Sequence, residues 1–222
     1  MGCLIPAKTE GLLVCEKGIS VTNLVNGTTR LQPVVLLTGQ AVGVLAALSI
    51  KGEGDPRDVP VRFLQQELLD DSCYLLPYCD VDRSDPAWKA VQRVGLTGIL
   101  RGLGRPRDWS NQTLFQPDSI LAADSFRTTV LQYDPAVRLD LVPAGQPVTW
   151  PYLSRLIAQV SPDAGSDQAR YNQAKGLLKA RDLEPGRPLT KKEIAVLLDR
   201  FCLAWILRDV DMNGRPLEEE EP

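Results

Sequence analysis

The feature that most restricts this chain is a nearly unbroken apolar run from Val34 to Ile50. The run is as long as the shortest membrane-spanning helices, which need roughly 17 residues. Thr38 and Gln40 lie in its middle, and no aromatic or basic belt flanks it, which disfavours a span. We therefore predict no membrane span. We expect a helix buried on several sides, whose Gly39 and Gly43 let a strand or a cofactor approach closely.

The residues around this helix indicate a strand–loop–helix arrangement. Leu12–Cys15 is a short apolar run between glycines and predicts a buried strand. The polar stretch Ser20–Arg30 predicts a loop, and Gly52–Pro60 predicts a linker because it is rich in glycine, proline and aspartate. Val61–Leu69 predicts a short amphipathic helix. This first part of the chain is therefore expected to contain one strand and two helices.

The second part of the chain predicts helices joined by irregular connectors. Turn-forming residues near position 76 separate the two parts, which gives one domain at residues 1–75 and another at 76–222. The expected fold class is α+β and mainly α: a strand–loop–helix segment followed by a helical domain. The helices predicted in the second domain are Pro86–Leu96, Ser119–Gln132, Thr149–Val160, Asp167–Lys179 and Thr190–Leu207.

The amino-acid composition excludes several kinds of catalytic and metal-binding sites. The chain has no histidine, which excludes Ser–His–Asp and Cys–His catalysis and histidine metal sites. Its five cysteines lack Cys-x-x-Cys spacing, which indicates reduced thiols. The formal net charge is −3 and no dense basic cluster occurs, so no nucleic-acid partner is expected. The first residues lack the features of a signal peptide, and we expect a soluble protein of unknown compartment.

A series of short motifs stands in an informative order between residues 4 and 70. It comprises Leu4-Ile5-Pro6, Gly11-Leu12-Leu13-Val14, Ile19-Ser20, Asn26-Gly27-Thr28-Thr29-Arg30, Pro33 and Gly39-Gln40-Ala41-Val42-Gly43. This series resembles the final strand–loop–helix segment of FAD-dependent oxidoreductases of the two-dinucleotide-fold superfamily. The resemblance implies that the helix start lies against the flavin of FAD, the cofactor of the full-length family. The residues that it places at the flavin are Ser20, Arg30, Gly39, Gln40 and Ala41.

The chain departs from the pattern of that family at two places. Glu16-Lys17 stands where the family usually has Gly-Arg, which adds bulk and negative charge near a phosphate-bearing cofactor. The family also binds the pyrophosphate through Gly-x-Gly-x-x-Gly, whereas Gly102-Leu103-Gly104 is followed by Arg107 and predicts a turn. We therefore expect this chain alone to bind no FAD, and we assign no catalytic acid or base.

The same reasoning predicts a partner. Without the sheet that covers it in the family, the apolar helix would expose its surface. We expect either the missing flavin-binding half as a partner or self-association, with poor solubility of the free chain.

The second part also contains motifs that resemble one S-layer homology repeat and part of another, as in the tails of some FAD-dependent oxidoreductases of bacteria. They comprise Asp80-Val81, Trp88, Val91-Gln92-Arg93, Gly98–Gly102, Thr113–Asp118 and residues 174–198. Such repeats bind cell-wall polysaccharide through a Thr-Arg-Ala-Glu motif, matched here by Thr190-Lys191-Lys192-Glu193. The alternative function is therefore a non-enzymatic helical binding module for a cell-wall glycan or a protein partner. The same residues also form a capping box, which needs no ligand.

The end of the chain carries a calcium-like motif. Asp209-x-Asp211-x-Asn213-Gly214 with Glu220 fits the EF-hand loop pattern. Pro216 lacks the backbone N–H that would pair with a partner loop at its position. A turn followed by an acidic tail is the preferred interpretation, so no metal site is predicted, and calcium binding stays open as the alternative.

Overall fold

The computed structural model describes residues 1–178, 183–212 and 214–217. Across these ranges the chain forms α-helices, short 3₁₀ turns and one two-stranded sheet, which agrees with the predicted α+β, mainly α class. Its contacts divide it into two units. The first is Met1–Cys73 with the described part of Arg208–Pro222, and the second is Tyr74–Leu207. The division falls two residues before the predicted boundary and assigns the described end of the chain to the first unit.

The helices and strands are numbered in chain order. The helices are α1 (Asn23–Thr29), α2 (Gln32–Lys51), α3 (Val61–Asp70), α4 (Trp88–Leu96), α5 (Ala123–Tyr133), α6 (Trp150–Val160), α7 (Asp167–Leu177), α8 (Lys191–Phe201) and α9 (Leu203–Ile206). The strands are β1 (Leu103–Arg107) and β2 (Ser110–Leu114).

The strand predicted at Leu12–Cys15 is wrong, because this segment is irregular. A strand is stable only when a neighbouring strand satisfies its backbone N–H and C=O groups. Here the Val14 N–H donates to the Leu4 carbonyl at 2.8 Å, and the chain then turns at Glu16, whose φ is 57°. The segment is thus held by local bonds and not by a sheet.

The loop predicted at Ser20–Arg30 contains helix α1. Thr22 is its N-cap and accepts a hydrogen bond from the Val25 N–H at 3.4 Å. A threonine at this position satisfies one of the free N–H groups of the first turn, which stabilises even a short helix. The predicted loop is therefore wrong for Asn23–Thr29, which forms a helix.

Helix α2 is much less buried than the sequence predicts. Val35, Leu45 and Ser49 are its buried residues, whereas Leu36 is 73 % exposed and Ile50 is 78 % exposed. Burial on several sides is therefore wrong for the described chain, and the predicted exposed apolar surface is confirmed. By length and composition alone, α2 is the one helix in the described ranges that could cross a membrane.

The second unit has a core made by the inner faces of its helices. Phe115, Phe126, Leu153 and Ile194 are completely or almost completely buried there. Burial of such side chains is the main stabilising contribution in a unit of this kind. The helices α6 and α8 begin one residue after their predicted starts, at Trp150 and Lys191, whereas α5 begins at Ala123, four residues after the predicted Ser119.

Three helix starts of the second unit are joined by backbone bridges. Residues before α5, α6 and α8 pair with one another: Ile120 with Thr190, Ala122 with Pro147, and Thr149 with Pro188. The repeat-like motif Thr190–Glu193 predicted from the sequence begins at one of these bridges.

Two details of the second unit differ from prediction. The Gly102–Gly104 segment, predicted as a turn, leads into strand β1, which pairs antiparallel with β2. The helix predicted at Thr190–Leu207 is interrupted at Cys202, whose φ of −122° and ψ of 27° separate α8 from α9. The second unit is therefore helical with one hairpin, and not wholly helical.

Candidate functional site

The five residues predicted to face a flavin lie on three consecutive elements of the first unit. Ser20 follows a 3₁₀ turn and its N–H donates to the Cys3 carbonyl at 3.0 Å. Arg30 is the C-cap of α1, and its N–H donates to the Asn26 carbonyl at 3.2 Å. The remaining three, Gly39, Gln40 and Ala41, belong to α2. Local backbone hydrogen bonds thus position the first two, and a helix positions the others.

The position of Gly39 within α2 corrects the expected role of its backbone. The helix begins at Gln32, seven residues earlier than Gly39, and carries a proline in its first turn. Free N–H groups occur only in the first turn of a helix, because later ones donate to the carbonyl four residues back. The N–H groups of Gly39, Gln40 and Ala41 are therefore inside the helix and do not form a polar helix start.

The two glycines of α2 face open space. A Cβ atom built on Gly39 or Gly43 would meet no other atom within 4 Å. The predicted close approach to these glycines is therefore not made by any residue of the described chain. A glycine inside an exposed helix costs about 1 kcal/mol relative to alanine unless something needs the space.

This open space leads to a stability prediction. We expect Gly43→Ala to raise the free energy of unfolding by about 1 kcal/mol, because alanine favours the helix and meets no neighbour. Ala47→Gly, on the same exposed stripe of α2, is the matched control and should lower it by a similar amount. Chemical denaturation followed by far-UV circular dichroism measures both. Destabilisation by Gly43→Ala would mean that the free chain already packs against this glycine.

The cleft in this unit lies at the other end of α2. It has a volume of about 410 Å³ and is lined by residues that include Gly11, Ala46, Ser49 and Asp55. The flavin-facing residues predicted from the sequence do not line it. The Ser49 hydroxyl, which lines this cleft, donates to the Gly54 carbonyl at 2.5 Å. This hydroxyl therefore already has a partner within the protein.

Asp55 and Arg57 form a small hydrogen-bonded centre beside this cleft. The Arg57 N–H donates to Asp55 at 2.8 Å and, with the guanidinium, lowers the pKa of that carboxyl even though partial burial acts in the opposite direction. The same guanidinium donates to the carbonyls of Pro6 and Thr9 at 2.6 Å and 3.0 Å. The glycine, proline and aspartate content of this stretch predicted a linker. The missed signal was Asp55-x-x-Asp58, the spacing of a capping box.

The side chains of the repeat-like motif are occupied by internal contacts. Thr190 accepts from the Glu193 N–H at 3.2 Å, and Glu193 accepts from the Thr190 N–H at 2.8 Å, which confirms the capping box. Glu193 also pairs with Arg187 at 2.8 Å. Burial alone would raise the pKa of Glu193, but the hydrogen bonds from Arg187 and Thr190 outweigh it and lower that pKa.

Lys191, the first of the two lysines of the same motif, is buried and does not face solvent. Its Nζ donates to the carbonyls of Arg101 and Phe115 at 2.5 Å and 2.8 Å and lies 4.5 Å from the centre of the Phe115 ring. Burial lowers the pKa of Lys191, although the nearby Asp80 carboxylate acts in the opposite direction. The second lysine, Lys192, is half-buried and pairs with Asp85 at 3.2 Å, so both lysines of the motif already have partners within the second unit.

The lowered pKa of Glu193 predicts a pH-dependent contribution to stability. A carboxyl with a lowered pKa stabilises the fold above its ordinary pKa of 4.5 and loses this effect as pH falls through its folded pKa. We expect Glu193→Gln to cost about 1 kcal/mol near pH 7 and less near pH 3. Denaturant unfolding at both pH values measures it, with the exposed Glu184→Gln as control. An equal cost at both pH values would contradict the charge-based explanation.

The calcium-like motif forms a turn in its described part. Asp209 accepts from the Arg62 N–H at 3.1 Å, and Asp211 accepts from the Arg215 N–H at 2.9 Å. Asn213 and Glu220 lie outside the described residues. Among the described residues, no group of three acidic or sulfur side chains could hold a metal ion. The two described carboxylates therefore cap backbone N–H groups, as expected for the turn interpretation.

Three of the predicted flavin-facing residues are open to solvent in the described part of the first unit. The side chains of Ser20, Arg30 and Gln40 are exposed, and a Cβ atom built on Gly39 or Gly43 would meet no other atom within 4 Å. A bound dinucleotide needs a concave site that covers most of its surface, with N–H groups aimed at its pyrophosphate. The five predicted residues do not line the cleft described above, and the N–H groups of Gly39, Gln40 and Ala41 lie inside α2.

Comparison with known proteins gives one match. Residues 1–68 match the family model described as FAD dependent oxidoreductase. No curated protein matches the chain. No solved structure matches it either. The first unit is therefore similar to part of the FAD-dependent oxidoreductase family, and the second unit lies outside the matched residues.

Proposed function

We propose that residues 1–68 are the closing segment of the flavin domain of an FAD-dependent oxidoreductase and that this chain does not hold FAD alone. In the complete site, Ser20, Arg30, Gly39, Gln40 and Ala41 face the flavin. Their role is to orient the cofactor through polar side chains and small residues, and not to transfer protons. The observation that carries the proposal is the family match over residues 1–68.

The surface of α2 supports this proposal. Leu36 and Ile50 are largely exposed, and the faces of Gly39 and Gly43 are open. Soluble proteins rarely leave a large contiguous apolar surface uncovered, so such a surface usually marks an interaction site. Glycines weaken an exposed helix, but their presence in α2 is explained if another part of the flavin domain packs closely against them. The exposed apolar side chains and the open glycines of α2 are both explained if another part of the flavin domain covers this side of the helix.

The 222-residue sequence contains no Gly-x-Gly-x-x-Gly motif that could bind the pyrophosphate of FAD. The proposal therefore requires that another polypeptide segment supplies this motif. When bound, FAD would supply the hydride or electron transfer of the family. The residues of this chain would contribute shape and polar contacts on one side of the flavin, with Glu16 as an unfavourable charge near phosphate.

The first test is the coding sequence upstream of Met1. The proposal expects a strand–turn–helix pattern with Gly-x-Gly-x-x-Gly, in the same frame or in a separate neighbouring frame. An upstream region that is interrupted by stop codons in every frame and has no such neighbour would contradict it.

The biochemical test uses the product of that region together with this chain. We expect the pair to retain FAD, and we expect Gly39→Leu to remove retention because its side chain fills the space in front of α2. Gly27→Ala, at an exposed position of α1 with open space around it, is the control. Retention that is unchanged by Gly39→Leu would contradict the placement of α2 against the flavin.

A further inference from the structure

The tip of the β1–β2 hairpin presents a fully exposed tryptophan. Trp109 lies in the two-residue turn between the strands and is 105 % exposed, whereas Trp88, Trp150 and Trp205 are each at most 7 % exposed. An indole ring in water leaves a large apolar area unburied, and such rings are concentrated at interfaces with partners or membranes. The exposure of Trp109 at the tip of the hairpin therefore indicates a site that contacts a binding partner.

Two arginines lie on one face of the same hairpin. In the antiparallel register Arg105 pairs with Gln112 and Arg107 pairs with Ser110. Residues two apart on a strand share a face, so both arginines lie on the same side. Both arginines are exposed, and neither has an ion-pair partner within the described part of the chain. The turn adds one negative charge at Asp108, so these charged groups carry a net positive charge beside the exposed indole.

We propose that this hairpin docks on an anionic lipid surface, with Trp109 in the interfacial layer and Arg105 and Arg107 on headgroup phosphates. Tryptophan is enriched at membrane interfaces because its ring is apolar and its N–H is polar. Each basic residue close to an anionic leaflet raises the partition coefficient of the protein onto that leaflet about fivefold. The inference is independent of the proposed flavin role, because it concerns the second unit alone.

The shape of the hairpin favours a lipid surface over other anionic partners. A small anion or nucleotide is bound in a concave site that covers most of its surface, whereas Trp109 stands on a convex tip. Single-stranded nucleic acids are bound along a groove that stacks successive bases on several aromatic rings. Here one aromatic ring is exposed among the four tryptophans. A flat, deformable surface can accept a single protruding ring together with its flanking charges.

The distribution of tryptophans makes the test selective. Because three of the four are buried, acrylamide quenching reports mainly on Trp109. With vesicles of equal parts phosphatidylglycerol and phosphatidylcholine, we expect a blue-shifted emission, reduced quenching and co-flotation of the full chain. Vesicles of phosphatidylcholine alone should give weaker binding. Equal binding to both kinds of vesicle would overturn the proposal, and so would protection of Trp109 by a single-stranded oligonucleotide in place of vesicles.

Variants separate the hairpin from the apolar surface of α2. Trp109→Ala should lower the vesicle partition coefficient about tenfold, and Arg105→Gln with Arg107→Gln should lower it about 30-fold. Leu141→Ala removes another exposed apolar side chain of the second unit and should have no effect. Far-UV circular dichroism verifies that all variants stay folded. Wild-type binding by Trp109→Ala would assign the membrane contact to another surface and overturn the proposal.

Discussion

Leu45→Ala should lower the free energy of unfolding of the first unit by about 2–5 kcal/mol. Leu45 is fully buried in α2, and this helix packs against α3 within the same unit. Truncating a buried leucine removes its favourable transfer from water and leaves a cavity that the structure fills only partly. The first unit is small, so a loss of this size is a large fraction of its stability. Urea denaturation monitored by far-UV circular dichroism measures the change.

Leu36→Ala is the matched control on the same helix. Leu36 is 73 % exposed, so its truncation should change the free energy of unfolding by less than about 0.5 kcal/mol. It should instead reduce binding of the dye ANS and self-association, because it removes exposed apolar surface. If Leu36→Ala destabilised the chain as much as Leu45→Ala, the exposed side of α2 would be covered in solution, contrary to the structure.

Gly102→Ala should destabilise the second unit by about 3 kcal/mol. A Cβ atom at this position would lie 2.4 Å from Cε1 of Tyr78 and 3.2 Å from the carbonyl oxygen of Leu114. The ring of Tyr78 is buried against Phe115, with 5.3 Å between ring centroids, so it has little room to move. Overpacking at such a position forces shifts of side chains and backbone that cost free energy. Thermal and denaturant unfolding both report this cost.

Gly104→Ala is the control for this prediction. Gly104 lies two residues further along, in β1, and a Cβ atom there would meet no atom within 4 Å. Both glycines have ordinary backbone conformations, so the comparison isolates steric contact from backbone strain. We expect little change for Gly104→Ala. Equal stability of the two variants would show that Tyr78 does not occupy the observed position.

Helices with a regular apolar pattern could be predicted from the sequence. In α8, Ile194, Leu197, Leu198 and Phe201 repeat with helical spacing and are all buried. Local signals also fixed its start, because the capping box of Thr190 and Glu193 depends only on residues three apart. The start of α6 at Trp150 was predicted as well, although the Thr149 side chain makes no capping hydrogen bond there.

The hairpin could not be predicted, because its pattern lacks the usual signals. All five residues of β1 are exposed, so no alternation of apolar and polar residues marks the strand. Its turn has Asp108 at a φ of 50°, a position where glycine or asparagine is the usual signal. Trp109 was therefore assigned no role from the sequence, although it is the most exposed tryptophan of the chain.

The candidate flavin site could be predicted only as a set of residues. Motif order located Ser20, Arg30 and Gly39, but their mutual arrangement depends on where α2 begins. The resemblance to the family placed Gly39 near a helix start, whereas the apolar run predicted a helix from Val34 and the helix begins at Gln32. A strand such as the one predicted at Leu12–Cys15 depends on partner strands, and a single segment does not reveal whether they are present.

We propose that this chain forms one wall of a flavin site and needs a second polypeptide segment to complete it. Equilibrium dialysis against FAD tests this most directly, with this chain, the upstream dinucleotide-fold product and their mixture measured side by side. We predict stoichiometric FAD in the mixture and much less in this chain alone. One FAD bound per molecule by this chain alone, or no gain in the mixture over the upstream product, would contradict the account.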